Sequence, residues 1–146
     1  MATPQSEWPG FGDVPEDADL TLTRPEGQEL ARWVWQDGEI RDGDRLSVHY
    51  YANSLHYGTA VFEGIRCYPT DRGPALVRPR DHVDRMLSAA QLYGMRVPYA
   101  ADDLVRAAVE ITRKNGVDHA YLRPIAWFGY GPIDLKPRQV CPVQVL

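Results

Sequence analysis

Residues Leu55–Tyr68 read LHYGTAVFEGIRCY, and the alternation inside this stretch decides the fold. Phe62, Gly64 and Arg66 fall at every second position, with Val61, Ile65 and Cys67 on the alternate ones. Successive side chains of an extended strand leave opposite faces. Ala60–Tyr68 is therefore predicted as one strand, with Val61, Ile65 and Cys67 turned to a core. Its other face presents a ring, a gap and a fixed positive charge. That set suits an anionic organic molecule.

Upstream, Trp33–Gln36 and Glu39–Arg41 flank Asp37-Gly38, a strong hairpin signal because the primed two-residue turns need positive φ. Asp42-Gly43-Asp44 is a further turn, and Leu46–Tyr50 reads as a short strand. Ser54 is expected to cap a short helical turn over Leu55–Gly58. Downstream, the Asp71-Arg72-Gly73-Pro74 turn leads to a strand at Ala75–Arg78.

Two helices follow. Asp81 opens the first, and Val83, Met86, Leu87 and Ala90 share one face up to Gly94. The second runs from Asp102 to Asn115, with a stripe of Leu104, Ala108 and Ile111 joined by Val105. Asp102 and Asp103 in its first turn, with Arg113 and Lys114 in its last, follow the charge order that the helix dipole favours. Ala120–Phe128 reads as a strand, followed by a Gly/Pro-rich loop to Pro137 and a last strand, Val140–Leu146, with an unpaired edge. Hairpins dominate and no βαβ alternation occurs. The class is α+β, a mostly antiparallel sheet with two helices packed on one side.

Composition narrows the function. The 146 residues make one domain's worth of chain, 44% apolar and 25% charged. A net charge of −4 gives no reason to expect nucleic acid or a membrane as partner. No apolar run reaches the roughly 18 residues of a membrane span, and no secretory signal opens the chain. Cys67 and Cys141 read as free thiols in a reducing cytoplasm. Residues 1–32 carry Glu7, Asp13, Glu16, Asp17, Asp19, Glu26 and Glu29 against Arg24 and Arg32, and read as a flexible acidic extension. His49, His56, His82 and His119 have no companion at metal-ligand spacing, so no metal site is expected. Tyr93 and Trp127 read as core.

LHYGTAVFEGIRCY, RPRDHVDRM at Arg78–Met86 and HAYLRP at His119–Pro124 together resemble the branched-chain amino-acid aminotransferases, class IV, fold-type IV enzymes that use pyridoxal 5′-phosphate. The resemblance runs from about Trp33 to Leu146 and implies the small domain of that fold. It implies that Arg85 holds the cofactor's phosphate, for which a guanidinium fork is well shaped. It implies that Tyr57 and Phe62 wall the substrate side-chain pocket, partly across a homodimer interface, and that Gly64 lies close to the site. Tyr121 and Arg123 match residues that meet substrate carboxylates. Arg66 is placed at the pocket edge, with an ion pair to Glu63 or another acid as its structural alternative.

The resemblance also exposes a gap. The cofactor's aldehyde needs a lysine, and neither Lys114 nor Lys136 matches the family lysine, which belongs to a C-terminal domain. Residues 33–146 are thus expected to be that small domain, incomplete at its last strand, and inactive as an isolated chain. The parent reaction would move an amino group between leucine, isoleucine or valine and 2-oxoglutarate. The alternatives are a non-catalytic relic or interaction module that pairs with a full-length relative or a separate C-terminal chain, or a fragment of a D-amino-acid aminotransferase or aminodeoxychorismate lyase type.

Overall fold

A computed structural model describes residues 31–136 and 143–145. The expected extension over residues 1–32 lies outside them apart from Ala31 and Arg32, as do Cys141 and most of the last strand. The described residues belong to one compact unit, Ala31–Leu146.

The hairpin forms where expected. Strands β1 (Trp33–Gln36) and β2 (Glu39–Asp42) pair antiparallel. Asp37 and Gly38 both take positive φ, at 48° and 94°. The Asn115 side chain docks the hairpin on a helix end. Its Oδ1 accepts from Trp33 N at 2.9 Å and its Nδ2 donates to Trp33 O at 2.8 Å. Beyond a single 3₁₀ turn at Gly43–Arg45, Leu46–Tyr50 is not a strand.

A short helix, α1 (Asn53–Tyr57), ends on Gly58 at φ 66°. Ser54 does not cap it. Its hydroxyl donates to Thr59 O and accepts from Phe128 N at 2.9 Å, tying α1 to a strand instead. Asn53 is fully buried and bonded throughout, through its N–H to Gly129 O, its Nδ2 to Asp134 O and its Oδ1 from Thr59 Oγ1.

The long strand predicted over Ala60–Tyr68 is two strands, β3 (Ala60–Phe62) and β4 (Ile65–Tyr68). Beyond a turn, the expected Ala75–Arg78 strand is the two-residue β5 (Ala75–Leu76). The run Ala120–Phe128 is likewise split, into β6 (Ala120–Leu122) and β7 (Ile125–Phe128). The breaks face each other. Pro124 has no N–H to give to a ladder, and Glu63 N–H donates to Pro124 O at 2.9 Å between the two halves. Register is unchanged across the interruption, with Phe62↔Ile125 on one side and Ile65↔Leu122 on the other. The faces therefore keep their parity, as required when one side is a core. Strand β8 (Val143–Val145) adds beside β7, giving the orders β3-β7-β8 and β5-β4-β6.

Helix α2 (Pro79–Leu92) starts earlier than expected, with Pro79 in its first turn, and Gly94 follows it at φ 71°. Helix α3 (Ala101–Asn115) ends on Gly116 at φ 65°, and Asp103 Oδ2 accepts from Ala100 N–H at its start. Val61, Val83, Met86, Ala90, Met95, Leu104, Ala126, Phe128 and Val145 form the core between α2, α3 and the β3-β7-β8 sheet. The stripe on α3 is rotated from the expected one. Leu104, Ala107 and Thr112 are its buried residues, while Ala108 and Ile111 are half-buried. Thr112 tolerates burial because its hydroxyl donates to Ala108 O at 2.7 Å.

The edge of β8 is not wholly unpaired. Val145 N donates to Asp37 Oδ1 at 2.7 Å, and Asp37 N donates to Val145 O at 3.0 Å. Among the described residues, no helix is long and apolar enough to cross a membrane.

Candidate active site

The face read from the first stretch exists. Val61, Glu63, Ile65 and Cys67 are buried, whereas Phe62 is 59% exposed and Arg66 is exposed. Tyr121 and Arg123 project on the same side from the partner strand, where Tyr121 stands opposite Arg66. The Arg123 guanidinium lies 4.5 Å from the Phe62 ring centre and 5.2 Å from that of Tyr121. Arg123 Nη2 donates to Tyr121 Oη at 3.0 Å. Arg66 stands 5.6 Å from the same tyrosine ring.

Gly64 makes the grouping possible. A Cβ there would come within 2.6 Å of Tyr121 Cζ and 2.8 Å of Cε2, closer than real Cβ atoms approach. The tyrosine ring lies over the space that a side chain would fill. Neither Arg66 nor Arg123 makes an ion pair among the described residues. Two fixed cations steadied by aromatic faces, with no ion-pair partner among the described residues, have the chemistry to bind a carboxylate.

Arg85 is not in this cluster. It reaches from α2 to Glu63, the residue between Phe62 and Gly64, whose side chain leaves the strand on the buried side. Arg85 Nε pairs with Glu63 Oε1, and Nη2 with Oε2 at 2.6 Å. His82 Nδ1 lies 3.0 Å from the same Oε2. Glu63 is 9% exposed, but the Arg85 side chain is 67% exposed. The helix surface beside Arg85 is open among the described residues, with Leu92 at the helix end largely exposed.

Glu63 and His82 are the residues that sequence reasoning misses. From sequence, Glu63 enters only as a partner for Arg66. Its parity with Val61, Ile65 and Cys67 is the available signal, since a carboxylate at a core position requires a cation. The Arg85 guanidinium, opposed by burial and helped by His82 and the Gly64 N–H, lowers the Glu63 carboxyl from 4.5 to about 2.

A group with a depressed folded-state pKa stabilises fully above its unfolded value and loses that contribution as pH falls through the folded one. The Glu63 contribution should therefore be intact above about pH 4.5 and disappear towards pH 2. Urea titrations should show the stability gap between the unaltered chain and Glu63→Gln closing by about 2 kcal/mol over that window. A gap that does not vary with pH would refute the pairing.

Tyr57 ends α1 half-exposed, its ring 6.4 Å from that of His56. Beside α1, the exposed rings of Tyr50, Tyr51 and Tyr130 gather around His49, with Tyr130 4.5 Å from the histidine. Tyr93 is exposed and not core, whereas Trp127 is buried.

A cavity of 530 Å³ lies between α3 and the split strands, but its walls are chiefly apolar, including Val34, Leu104, Ala108, Ile111 and Leu122. Of its polar lining residues, Thr112 and Asn115 are already bonded, and Tyr121 and Arg123 of the arginine-aromatic cluster also border it. Among the described residues, no group of three His, Cys, Asp or Glu side chains could hold a metal ion.

An antiparallel α+β domain with an arginine-aromatic cluster at a strand break is the class that fold and site define. The family model for amino-transferase class IV matches residues 60–143, and the chain belongs to that family. It is 39% identical over 107 residues to the branched-chain-amino-acid aminotransferase of Salmonella typhimurium LT2, covering 73% of this chain and 35% of that one. The Pseudomonas aeruginosa PAO1 enzyme of the same name is 36% identical over 103 residues, which cover 70% of this chain and 34% of that protein. The chain thus spans about a third of the length of these relatives.

The crystal structure of the Escherichia coli branched-chain aminotransferase superposes with a TM-score of 0.77 at 35% identity, covering 80% of this chain and 38% of that one. The branched-chain aminotransferase of the archaeon Thermoproteus uzoniensis, solved with norvaline, gives 0.73 at 38% identity, covering 77% and 38%.

Proposed function

We propose that residues 33–146 form the small domain of a branched-chain amino-acid aminotransferase, which moves an amino group between leucine, isoleucine or valine and 2-oxoglutarate. The observation that carries this reading is the convergence of Phe62, Gly64, Arg66, Tyr121 and Arg123 on one face. Arg123 and Tyr121 bind and orient substrate carboxylates, Arg66 adds charge at the edge, and Phe62 shields the aliphatic side chain from water. The named activity of the relatives supports the choice of branched-chain substrates.

The proposed cofactor is pyridoxal 5′-phosphate, which supplies an electron sink for bond breaking at the α-carbon when bound. Its phosphate suits Arg85. Glu63 occupies the Nε side of that guanidinium, leaving the outer edge of the fork on an exposed side chain. The two lysines do not suit its aldehyde. Lys114 Nζ sits 4.9 Å from the Trp33 ring centre at the end of α3, and Lys136 lies in an exposed loop. The reacting lysine would come from a C-terminal domain.

The exposed aromatic surface around His49 and α1 supports a homodimer in which Tyr57 walls the partner's pocket.

The test is to assay the 146-residue chain alone and the chain joined to the C-terminal two-thirds of the Escherichia coli relative. Leucine, isoleucine, valine, D-alanine and aminodeoxychorismate serve as substrates. Transfer from the branched-chain acids by the joined protein only, lost on Arg123→Ala, is the expected result. Turnover by the isolated chain, or preference for D-alanine or aminodeoxychorismate, overturns the reading.

A further inference from the structure

We propose that Glu63 is a positioning residue for phosphate recognition: its buried carboxylate holds the Arg85 guanidinium so that the free edge of the fork faces an incoming phosphate. This rests on the reading of Arg85 given above. A guanidinium carries five N–H donors in one plane. Glu63 takes the Nε–H and one Nη2–H in two parallel bonds, the arrangement that fixes both the plane and its rotation. The edge left over, formed by Nη1 and Nη2, is the one that matches two phosphate oxygens.

Burial makes the carboxylate a firm anchor. Glu63 is 9% exposed and its strand is held at that residue by the Glu63 N–H bond to Pro124 O. His82, in the first turn of α2 and half-buried, steadies the second oxygen. Its Nδ1 also lies 3.2 Å from Arg85 Nη2; as the Nδ1–H tautomer, the one this role requires, it donates to Oε2 and does not take the outer Nη2 proton. Arg85 by contrast comes from an exposed helix face and has a long, rotatable stem. Without the anchor its charge would remain and its orientation would be lost. Preorganisation of this kind conserves the entropy otherwise lost on binding.

A rival effect has the opposite sign. Glu63 also neutralises Arg85, and removing a negative charge near a phosphate site strengthens anion binding by Coulomb's law. The sign of the substitution effect therefore decides.

Arginine side-chain NMR of the full chain, titrated with inorganic phosphate, reads both orientation and binding. In the unaltered chain, the Arg85 Nε–H signal should be protected from exchange and should shift with phosphate. Glu63→Gln, nearly the same shape, should remove the protection and weaken the phosphate response roughly tenfold, the size of one charge-assisted hydrogen bond. Arg85→Lys keeps the charge at an exposed position and should weaken phosphate binding by a similar factor. In the Arg85→Lys background, Glu63→Gln should cause no further loss, which a purely structural role would not produce.

Equal or tighter phosphate binding in Glu63→Gln, with the unaltered chain responding, overturns the positioning role alone. No phosphate response at Arg85 in the unaltered chain overturns both this role and the phosphate reading of Arg85. Should Glu63→Gln not fold, undiminished binding by Arg85→Lys overturns the proposal by itself.

Discussion

Phe128→Ala is expected to lower the unfolding free energy by about 3–5 kcal/mol, the cost of emptying a phenylalanine site in a packed core. Phe128 is 1% exposed and sits in β7 between β3 and β8, on the face that meets α2. Val83, Met86 and Ala90 from that helix belong to the same cluster, so the void would open where α2 packs on the sheet. The backbone N–H of Phe128 also holds Ser54 Oγ, and through it α1. A domain of this size has total stability of only about 5–15 kcal/mol. The variant should therefore be largely unfolded at moderate urea where the unaltered chain is folded. A loss below about 1 kcal/mol would mean that the sheet does not close over α2 as described.

Gly64→Ala is expected to leave stability nearly unchanged and to cut kcat/KM of the joined enzyme by about a hundredfold, as small misplacements of positioning groups do. The new methyl group would meet the Tyr121 ring, and that ring can yield because it is 51% exposed. Once it swings outward, Arg123 loses its bond to Tyr121 Oη and the ring beneath its guanidinium. The loss should appear in the reaction and not in the unfolding curve. Unchanged kcat/KM would separate Tyr121 from catalysis, whereas a large stability loss would place the ring in a rigid core.

Much of this is legible in sequence because the deciding signals are local. Asp37-Gly38 announces the hairpin, since few other pairs accept two positive φ angles. The parity of Phe62, Gly64 and Arg66 announces one face of the site, and the Tyr121–Arg123 spacing announces its complement. The remainder depends on partners far along the chain. Ser54 reads as a cap because its neighbours in sequence are the only ones visible, yet its hydroxyl serves Phe128, 74 positions away.

Pro124 lies in plain view inside a predicted strand, but only the facing Glu63-Gly64 step explains why the ribbon breaks without slipping. The α3 stripe differs for a related reason. Periodicity defines an apolar arc, but the packing of α2 and β1 against α3 decides which part of it is covered. Arg85 and Glu63 can be recognised singly from residue type, while their pairing needs the approach of α2 to the strand break.

The two bonds between Asp37 and Val145 carry a kinetic consequence. They close a circuit of 108 positions. The hairpin that begins the fold can form within microseconds from its own turn. Its final seat, however, waits for a strand from the opposite end of the domain. Closing so long a circuit contributes high contact order, which slows folding. The hairpin should therefore gain its full protection from hydrogen exchange late, together with β8, although it is encoded first.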